Sequence, residues 1–416
     1  MRLFNYLKGK NIKNILVLSI GAVLAQVLNF VCSLFMTRIY PKDEIGIFTF
    51  IVSIVTIFSA VINARYDVSL VSAEDEEVNS LIKLSLIICL ILSLIISACI
   101  WGYYYVYPGI LAFRYIYFIF ALLVIYGIVN ILTSYNNRCE DYGVIAKSTL
   151  SRTFLQSILI VIFGFIKPDG NFLVLSQVIG QLAGIKSQGE KLFNKLSDIV
   201  HTSKANLLVV LKKYKKQPLY SVPSTFVNAL SYSIISIIIG NHYGMAILAL
   251  YSISVRVLGI PLNIFSSNIA KVHYKEANKE ILANGNFFNS TRKMLILGGL
   301  IGGCMFVLLE LFSEFLFIFL YGETWKQSGT YVEILAPMFA MRLVVGSVGF
   351  SFIISNKQQW EFFFQTMLLM AVLCIAGLSR IYAWNITEML YAVSIGYSVI
   401  YMIESVCILV LSREIK

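Results

Sequence analysis

Uninterrupted apolar runs of about 20 residues recur along this chain, and a run of that length, wound as a helix, crosses the roughly 30 Å hydrocarbon core of a bilayer. Inside a bilayer only helices and closed barrels satisfy their own backbone hydrogen bonds. Barrel strands alternate apolar and polar residues over about ten positions, and that alternation is missing here. Charged residues make up 13% of the 416, too few to cover a water-soluble surface, while hydrophobic residues make up 58%. The expected fold class is therefore an all-α polytopic membrane protein.

Twelve spans are predicted, at 15–36, 45–64, 82–106, 115–134, 149–166, 171–187, 221–240, 246–269, 294–319, 330–354, 362–380 and 387–411. Gln177, Gly180 and Gln181 interrupt the sixth. The basic N-terminus imitates a secretory signal, yet its apolar stretch continues to Met36 and reads as the first span. Expected domains are an N-terminal six-helix bundle (1–187), a cytoplasmic amphipathic linker (188–220) and a C-terminal six-helix bundle (221–416). In the linker Leu192, Leu196, Ile199, Leu207, Val210 and Leu211 recur near helical spacing, as in a helix lying on the inner membrane surface. Lys212, Lys213, Lys215 and Lys216 would face anionic headgroups there, or act only as topology signals. In the ninth span Gly298, Gly299, Gly302 and Gly303 form two overlapping GxxxG pairs, expected to pack within the chain.

Charge placement gives the orientation. With the N-terminus inside, 25 of the 33 Lys and Arg residues fall on the inner side, six on the outer side and two within spans. Both termini are thus expected in the cytoplasm. The net charge of +11 reflects this asymmetry and not nucleic-acid binding. Tyr103, Tyr104, Tyr105 and Tyr107 mark an outer interface belt. Six of the seven cysteines lie in apolar runs and none forms a CxxC pair, and the three histidines are far apart, so neither a metal nor a disulfide framework is expected. No phosphate loop, HExxH or GxSxG motif occurs, which argues against an ATPase or a hydrolase.

Charges inside the spans are the candidate functional residues, because an ionisable side chain at the bilayer centre costs about 2.5–3.5 kcal/mol and faces a cavity or a partner. Arg256 lies mid-way along the eighth span, five residues before Pro261. It either faces a substrate or pairs with a buried acid such as Glu310 or Glu404. Arg342 lies mid-way along the tenth span. Arg65 and Asp67 follow the second span in the sequence NARYD. Glu310 and Glu314 share one face of the ninth span, and Glu404 lies in the last. These acids could couple to H⁺ or Na⁺, sit at the interface, or partner an arginine.

Four stretches carry a resemblance. They are MTRIYPKDEIGIFTFIVSIVTIFSAVINARYDVSLVSAEDEEVNSLIKLS (36–85), KKYKKQPLYSVPSTFVNALS (212–231), YGMAILALYSISVRVLGIPLNIFSSNIAKVHYKEA (243–277) and LYGETWKQSGTYVEILAPMF (320–339). Their polar and proline positions, as well as their apolar ones, resemble the polysaccharide transport flippases of the multidrug, oligosaccharidyl-lipid and polysaccharide exporter superfamily. The resemblance implies two six-helix bundles around a central cavity that opens to each side alternately. It implies no catalysis and no cofactor beyond a coupling ion. The expected cargo is an undecaprenyl-pyrophosphate-linked oligosaccharide in the bacterial inner membrane, for O-antigen of lipopolysaccharide, capsule or exopolysaccharide. Expected partners are membrane lipids and the polymerase and chain-length proteins of that pathway. Cavity cations would hold the pyrophosphate; Arg256 fits by span and depth, with Arg342, Arg65 and Arg38 as further candidates. Two departures stand out: Asp67 replaces an expected Glu, and the chain ends after twelve spans where many relatives add two. A cation-coupled multidrug exporter would share the fold. A membrane polymerase would need a larger outer loop than the roughly ten residues available here.

Overall fold

The computed structural model describes residues 10–106, 113–193 and 196–413, so Tyr107 and the first residues of the basic N-terminus lie outside the described residues. Every expected span coincides with a helix: α1 (Lys10–Ile39), α2 (Lys42–Ser59), α3 (Val78–Val106), α4 (Arg114–Arg138), α5 (Tyr142–Ile166), α6 (Gly170–Leu182), α7 (Val222–Tyr243), α8 (Met245–Pro261), α9 (Phe288–Tyr321), α10 (Lys326–Ser347), α11 (Gln358–Ile381) and α12 (Ile386–Leu411). Among the described residues there is no strand. Ten helical stretches are long and apolar enough to cross a membrane; the other two are α2, which opens on Lys42, Asp43 and Glu44, and α6, with 13 residues. At 1.5 Å per residue α6 reaches only about 20 Å. It ends where Gly184 adopts φ +83°, a conformation that glycine takes without strain.

The chain divides into two compact units, residues 1–229 and 230–416. In the first, α1 packs along α5, α5 along α6, and α3 along α4. On α1 the exposed residues Ile20, Leu24, Val27, Val31 and Phe35 form one stripe, while Ala25, Cys32 and Met36 are buried. In water each large exposed residue would forgo roughly 1.5–3 kcal/mol of burial. Facing lipid, the stripe needs no cover.

The linker is not one continuous helix. Three short helices, Ile185–Phe193, Leu196–His201 and Lys204–Lys213, dock against the first unit. Leu192, Ile199 and Val210 are buried among Tyr66, Leu70, Leu81, Ile82, Leu132 and Tyr135. Lys213 Nζ reaches Glu77 at 2.7 Å and Glu74 at 3.1 Å, and the Tyr214 hydroxyl donates to Glu77 at 2.8 Å. Lys83 donates to the carbonyls of Val200 and Thr202 at 2.6 and 2.8 Å. Only part of the linker's apolar set is consumed this way, and Leu208 and Val209 remain exposed.

In the second unit α9 and α10 run antiparallel, α8 lies against α10, and α12 packs on α10 and α11. Gly298 faces Ser347 and Gly302 faces the Ala340 backbone across the α9–α10 seam, so this GxxxG pair packs within the chain. α8 does not stop at Pro261. The missing proline N–H is accommodated by a π-turn, Leu262–Ser266, and the chain continues as the Ser267–Asn284 helix. α12 begins with a capping box in which Asn385 and Glu388 accept from each other's backbone N–H at 2.9 and 2.8 Å.

Candidate functional site

The interior of the second unit holds an arginine standing on aromatic rings. The guanidinium carbon of Arg342 lies 3.8 Å from the centre of the Tyr232 ring and 5.8 Å from that of Phe339. Tyr232 comes from α7, and its hydroxyl is hydrogen-bonded to that of Tyr401 on α12 at 2.8 Å. The Tyr397 hydroxyl donates to the Ser231 carbonyl at 2.6 Å, fixing the ring beside Tyr232. Buried Tyr251 of α8 completes the electrostatic surroundings of Arg342. Among the described residues Arg342 has no ion pair and no hydrogen bond. A cation held by its π-face keeps its in-plane N–H donors uncommitted, and those donors match phosphate or carboxylate oxygens.

Arg256 is half-buried in α8. It too has no ion pair or hydrogen bond among the described residues, so the alternative of a structural pair with Glu310 or Glu404 is not what forms. Glu310 is exposed on α9. Glu314, one turn on, accepts from Thr330 at 3.0 Å and pairs with Lys326 at 3.5 Å, joining α9 to α10. The two glutamates therefore differ in environment despite sharing a helix face. Glu404 is buried at 5% exposure on the stripe that also carries Tyr397, Tyr401 and Ile408. It has no hydrogen bond or ion pair among the described residues, and its charged neighbour is another acid, Glu361 of α11.

In the first unit Arg38 is exposed at the end of α1 and donates to the Leu34 carbonyl at 3.0 Å. Arg65 follows Ala64 in a turn where both have positive φ, 47° and 62°, values that cost non-glycine residues roughly 1–3 kcal/mol each. The Arg65 Nε is buried without a partner. Asp67, 7% exposed, is its charged neighbour; burial pushes the Asp67 carboxyl above the usual range, and Arg65 partly offsets that. Asn63, at the start of the same turn, donates to the carbonyls of Ser85 and Gly127 at 3.4 and 3.3 Å.

The sequence model of the family described as Polysaccharide biosynthesis protein matches residues 12–274, more than half of the chain. The chain belongs to that family. No curated protein matches it. Solved structures that share the fold include three transporters. A multidrug resistance MATE family transporter of the MOP superfamily, in its inward-facing conformation, is 13% identical, with a TM-score of 0.60 over 94% of each chain. An outward-facing MATE transporter is 16% identical, with a TM-score of 0.56 over 97% of this chain and 96% of that one. A MOP superfamily transporter from Pyrococcus furiosus, described as having a binding pocket of reversed polarity, is 15% identical, with a TM-score of 0.56 over 98% and 96%.

Arg152 lies near the inner end of the expected span 149–166 and counts among the inner-side charges, so it is not among the candidate residues of the sequence. The helix actually starts at Tyr142, which places Arg152 ten residues in. Two glutamines, Gln156 and Gln177, form a short hydrogen bond beside it. Polar residues four apart, opposite an apolar face, were the signal that could have found this cluster.

Proposed function

We propose that this protein is a flippase that carries undecaprenyl-pyrophosphate-linked oligosaccharide repeat units from the inner to the outer leaflet of a bacterial cytoplasmic membrane, by alternating access, for surface polysaccharide synthesis. The observation that carries this reading is that Arg256 and Arg342, both inside spans, have no carboxylate partner among the described residues. An unpaired cation within a bilayer is unfavourable by itself and becomes favourable when an anion joins it: at 4 Å and an effective dielectric constant near 20, two unit charges attract by about 4 kcal/mol. A pyrophosphate offers the bidentate oxygens that a guanidinium fork matches. Membership of a polysaccharide biosynthesis family supports a substrate of this kind. Arg38 and Arg65 are supplementary candidate cations of the first unit, and the cytoplasmic orientation of both termini follows from the Lys and Arg asymmetry.

The test begins with a deletion strain. Accumulation of complete undecaprenyl-pyrophosphate repeat units, with loss of surface polymer, is expected. Complementation by Arg342→Gln or Arg256→Gln at normal expression should fail to restore the polymer. Full restoration by both variants removes the pyrophosphate assignment.

A cation-coupled multidrug exporter is the second reading, favoured by one observation: Glu404 is buried beside Glu361 with no cationic partner among the described residues. In an exporter these acids would bind a cationic drug. In the flippase they would take up the coupling H⁺ or Na⁺, with Glu310 and Glu314 nearer the surface or already paired. Drug hypersensitivity of the deletion strain with unchanged lipid intermediates selects the exporter. Partner proteins of the pathway, polymerase and chain-length regulator, would act on the flipped product.

A further inference from the structure

The first unit contains a second polar cluster that the arginines of the second unit do not account for. On α5, Phe154, Ile158, Ile162 and Phe165 form the exposed apolar stripe that faces lipid. Arg152 and Gln156 lie about 160° around the helix from Phe154, on its inner side. Gln156 donates its amide to Gln177 of α6, and Gln177 donates in turn to the Tyr126 hydroxyl of α4 at 2.8 Å. Gly180 lets α6 approach, since a side chain there would meet the Gln156 Cβ at 2.6 Å. Arg152 is half-buried beside Tyr126 and uses only its Nε, which donates to the Ser148 carbonyl at 3.3 Å. No carboxylate pairs with it among the described residues.

The two amides and the phenol already link one another, which would suffice for a brace between three helices. Arg152 adds what a brace does not need: the N–H groups of both terminal nitrogens, uncommitted and positively charged. The Gln156 carbonyl oxygen and the Tyr126 O–H are uncommitted as well. Planar amides and a phenol can each give and take hydrogen bonds with sugar hydroxyls, and a guanidinium fork pairs with a carboxylate. We infer that Arg152, Gln156, Gln177 and Tyr126 form a glycan subsite in the N-terminal unit that takes a sugar bearing an acidic substituent, with Arg152 on the acid and the amides and phenol on neighbouring hydroxyls. This inference rests on the flippase reading and adds to it a substrate class: an acidic repeat unit.

The test uses purified full-length protein in nanodiscs and three probes. These are undecaprenyl pyrophosphate without sugar, the lipid-linked repeat unit extracted from the deletion strain, and that unit with its carboxyl groups reduced to alcohols. Arg152→Gln is expected to weaken binding of the intact unit about tenfold or more, the equivalent of one charge-assisted hydrogen bond. It should leave undecaprenyl pyrophosphate unaffected and bind the reduced unit as the wild type does. Arg152→Lys, which keeps the charge but loses the fork, should bind the intact unit more tightly than Arg152→Gln and less tightly than the wild type. Melting curves of both variants in the same nanodiscs identify any loss due to misfolding, and Gln177→Leu then reports on the subsite independently. Equal weakening of sugar-free undecaprenyl pyrophosphate would make Arg152 a pyrophosphate ligand and overturn the proposal. So would unchanged binding of the intact unit, or a repeat unit whose mass shows no acidic sugar. Failure of the wild type to bind any of the probes overturns the flippase reading itself, and is recognisable because it does not depend on a variant.

Discussion

A Cβ placed on Gly302 would sit 3.0 Å from the carbonyl oxygen of Ala340, whereas the adjacent Gly303 has nothing within 4 Å of the same position. Two neighbouring glycines of one sequence motif thus have opposite tolerance. Gly302→Leu should force α9 away from α10 and lower stability by about 1–3 kcal/mol, the usual range for overpacking. Gly303→Leu should be close to neutral. Thermal unfolding in detergent, read by a fluorescence-detected sizing assay, distinguishes the two; equal effects would refute the seam.

Tyr232 supports Arg342 in two separable ways, through its ring and through its hydroxyl. Tyr232→Phe keeps the cation–π face and loses only the bond to Tyr401. Tyr232→Leu loses both, including a cation–π contact worth about 0.5–2 kcal/mol. The expected order of affinity for undecaprenyl pyrophosphate is wild type, then Phe, then Leu. Native mass spectrometry reads the order directly, and a Leu variant that binds as tightly as Phe rules out the ring's part.

Asp67 gives stability a pH dependence of known sign. Its carboxyl is pushed above the usual range by burial, against the pull of Arg65, so the folded protein holds that proton more tightly than the unfolded chain does. Between the unfolded value, about 3.9, and the raised folded value, stability falls as pH rises. Above that window the full penalty is present. Asp67→Asn should therefore raise the melting temperature at neutral pH and gain least at the acid end of the window. Melting curves of both proteins from pH 4 to pH 8 provide the check, and a constant difference between them would contradict this origin.

Lys213 fastens the linker to the first unit through Glu77 and Glu74. Lys213→Glu should repel both acids and loosen the Lys204–Lys213 helix, whose buried contact is Val210. Faster tryptic cleavage at Lys204 and Lys212, with the spans intact, is the expected outcome. A smaller acceleration in wild-type protein should follow from high salt, since Lys213 and Glu74 are exposed enough to be screened while Glu77 is largely covered.

The spans were legible because each needs only its own apolar run; the sixth, expected over 171–187 and interrupted by Gln177, Gly180 and Gln181, ends at Leu182 as a helix of 13 residues. Arg256 and Arg342 were legible for the same reason, as charges in the wrong solvent. The ring beneath Arg342 was not, because Tyr232 lies on another helix and the tyrosines of this chain are also spread through its interfaces. Arg152 was hidden by its nearness to a span end: in the expected span 149–166 it is three residues in and reads as an inner-side charge, while α5 starts at Tyr142 and carries it ten residues into the helix. The burial of the linker's Leu192, Ile199 and Val210 against the first unit was not legible, since these residues suit lipid and protein equally well in sequence. The strained pair Ala64 and Arg65 leaves no mark in residue type at all.

The π-turn after Pro261 also bears on how this sequence can change by insertion and deletion. Such a turn is an α-helix with one residue too many, and each α-helical residue advances the phase by about 100°. Removing one residue from Leu262–Ser266 would restore regular hydrogen bonding locally while swinging the Ser267–Asn284 helix by roughly a quarter turn relative to Arg256. The seam at Gly346, where Ser266 leaves no room for a side chain, would then lose its match. Related chains with a shortened segment at this point should carry a compensating change on the facing side of α10, and a gap in the one without the other marks a chain in which the eighth helix has been re-aimed.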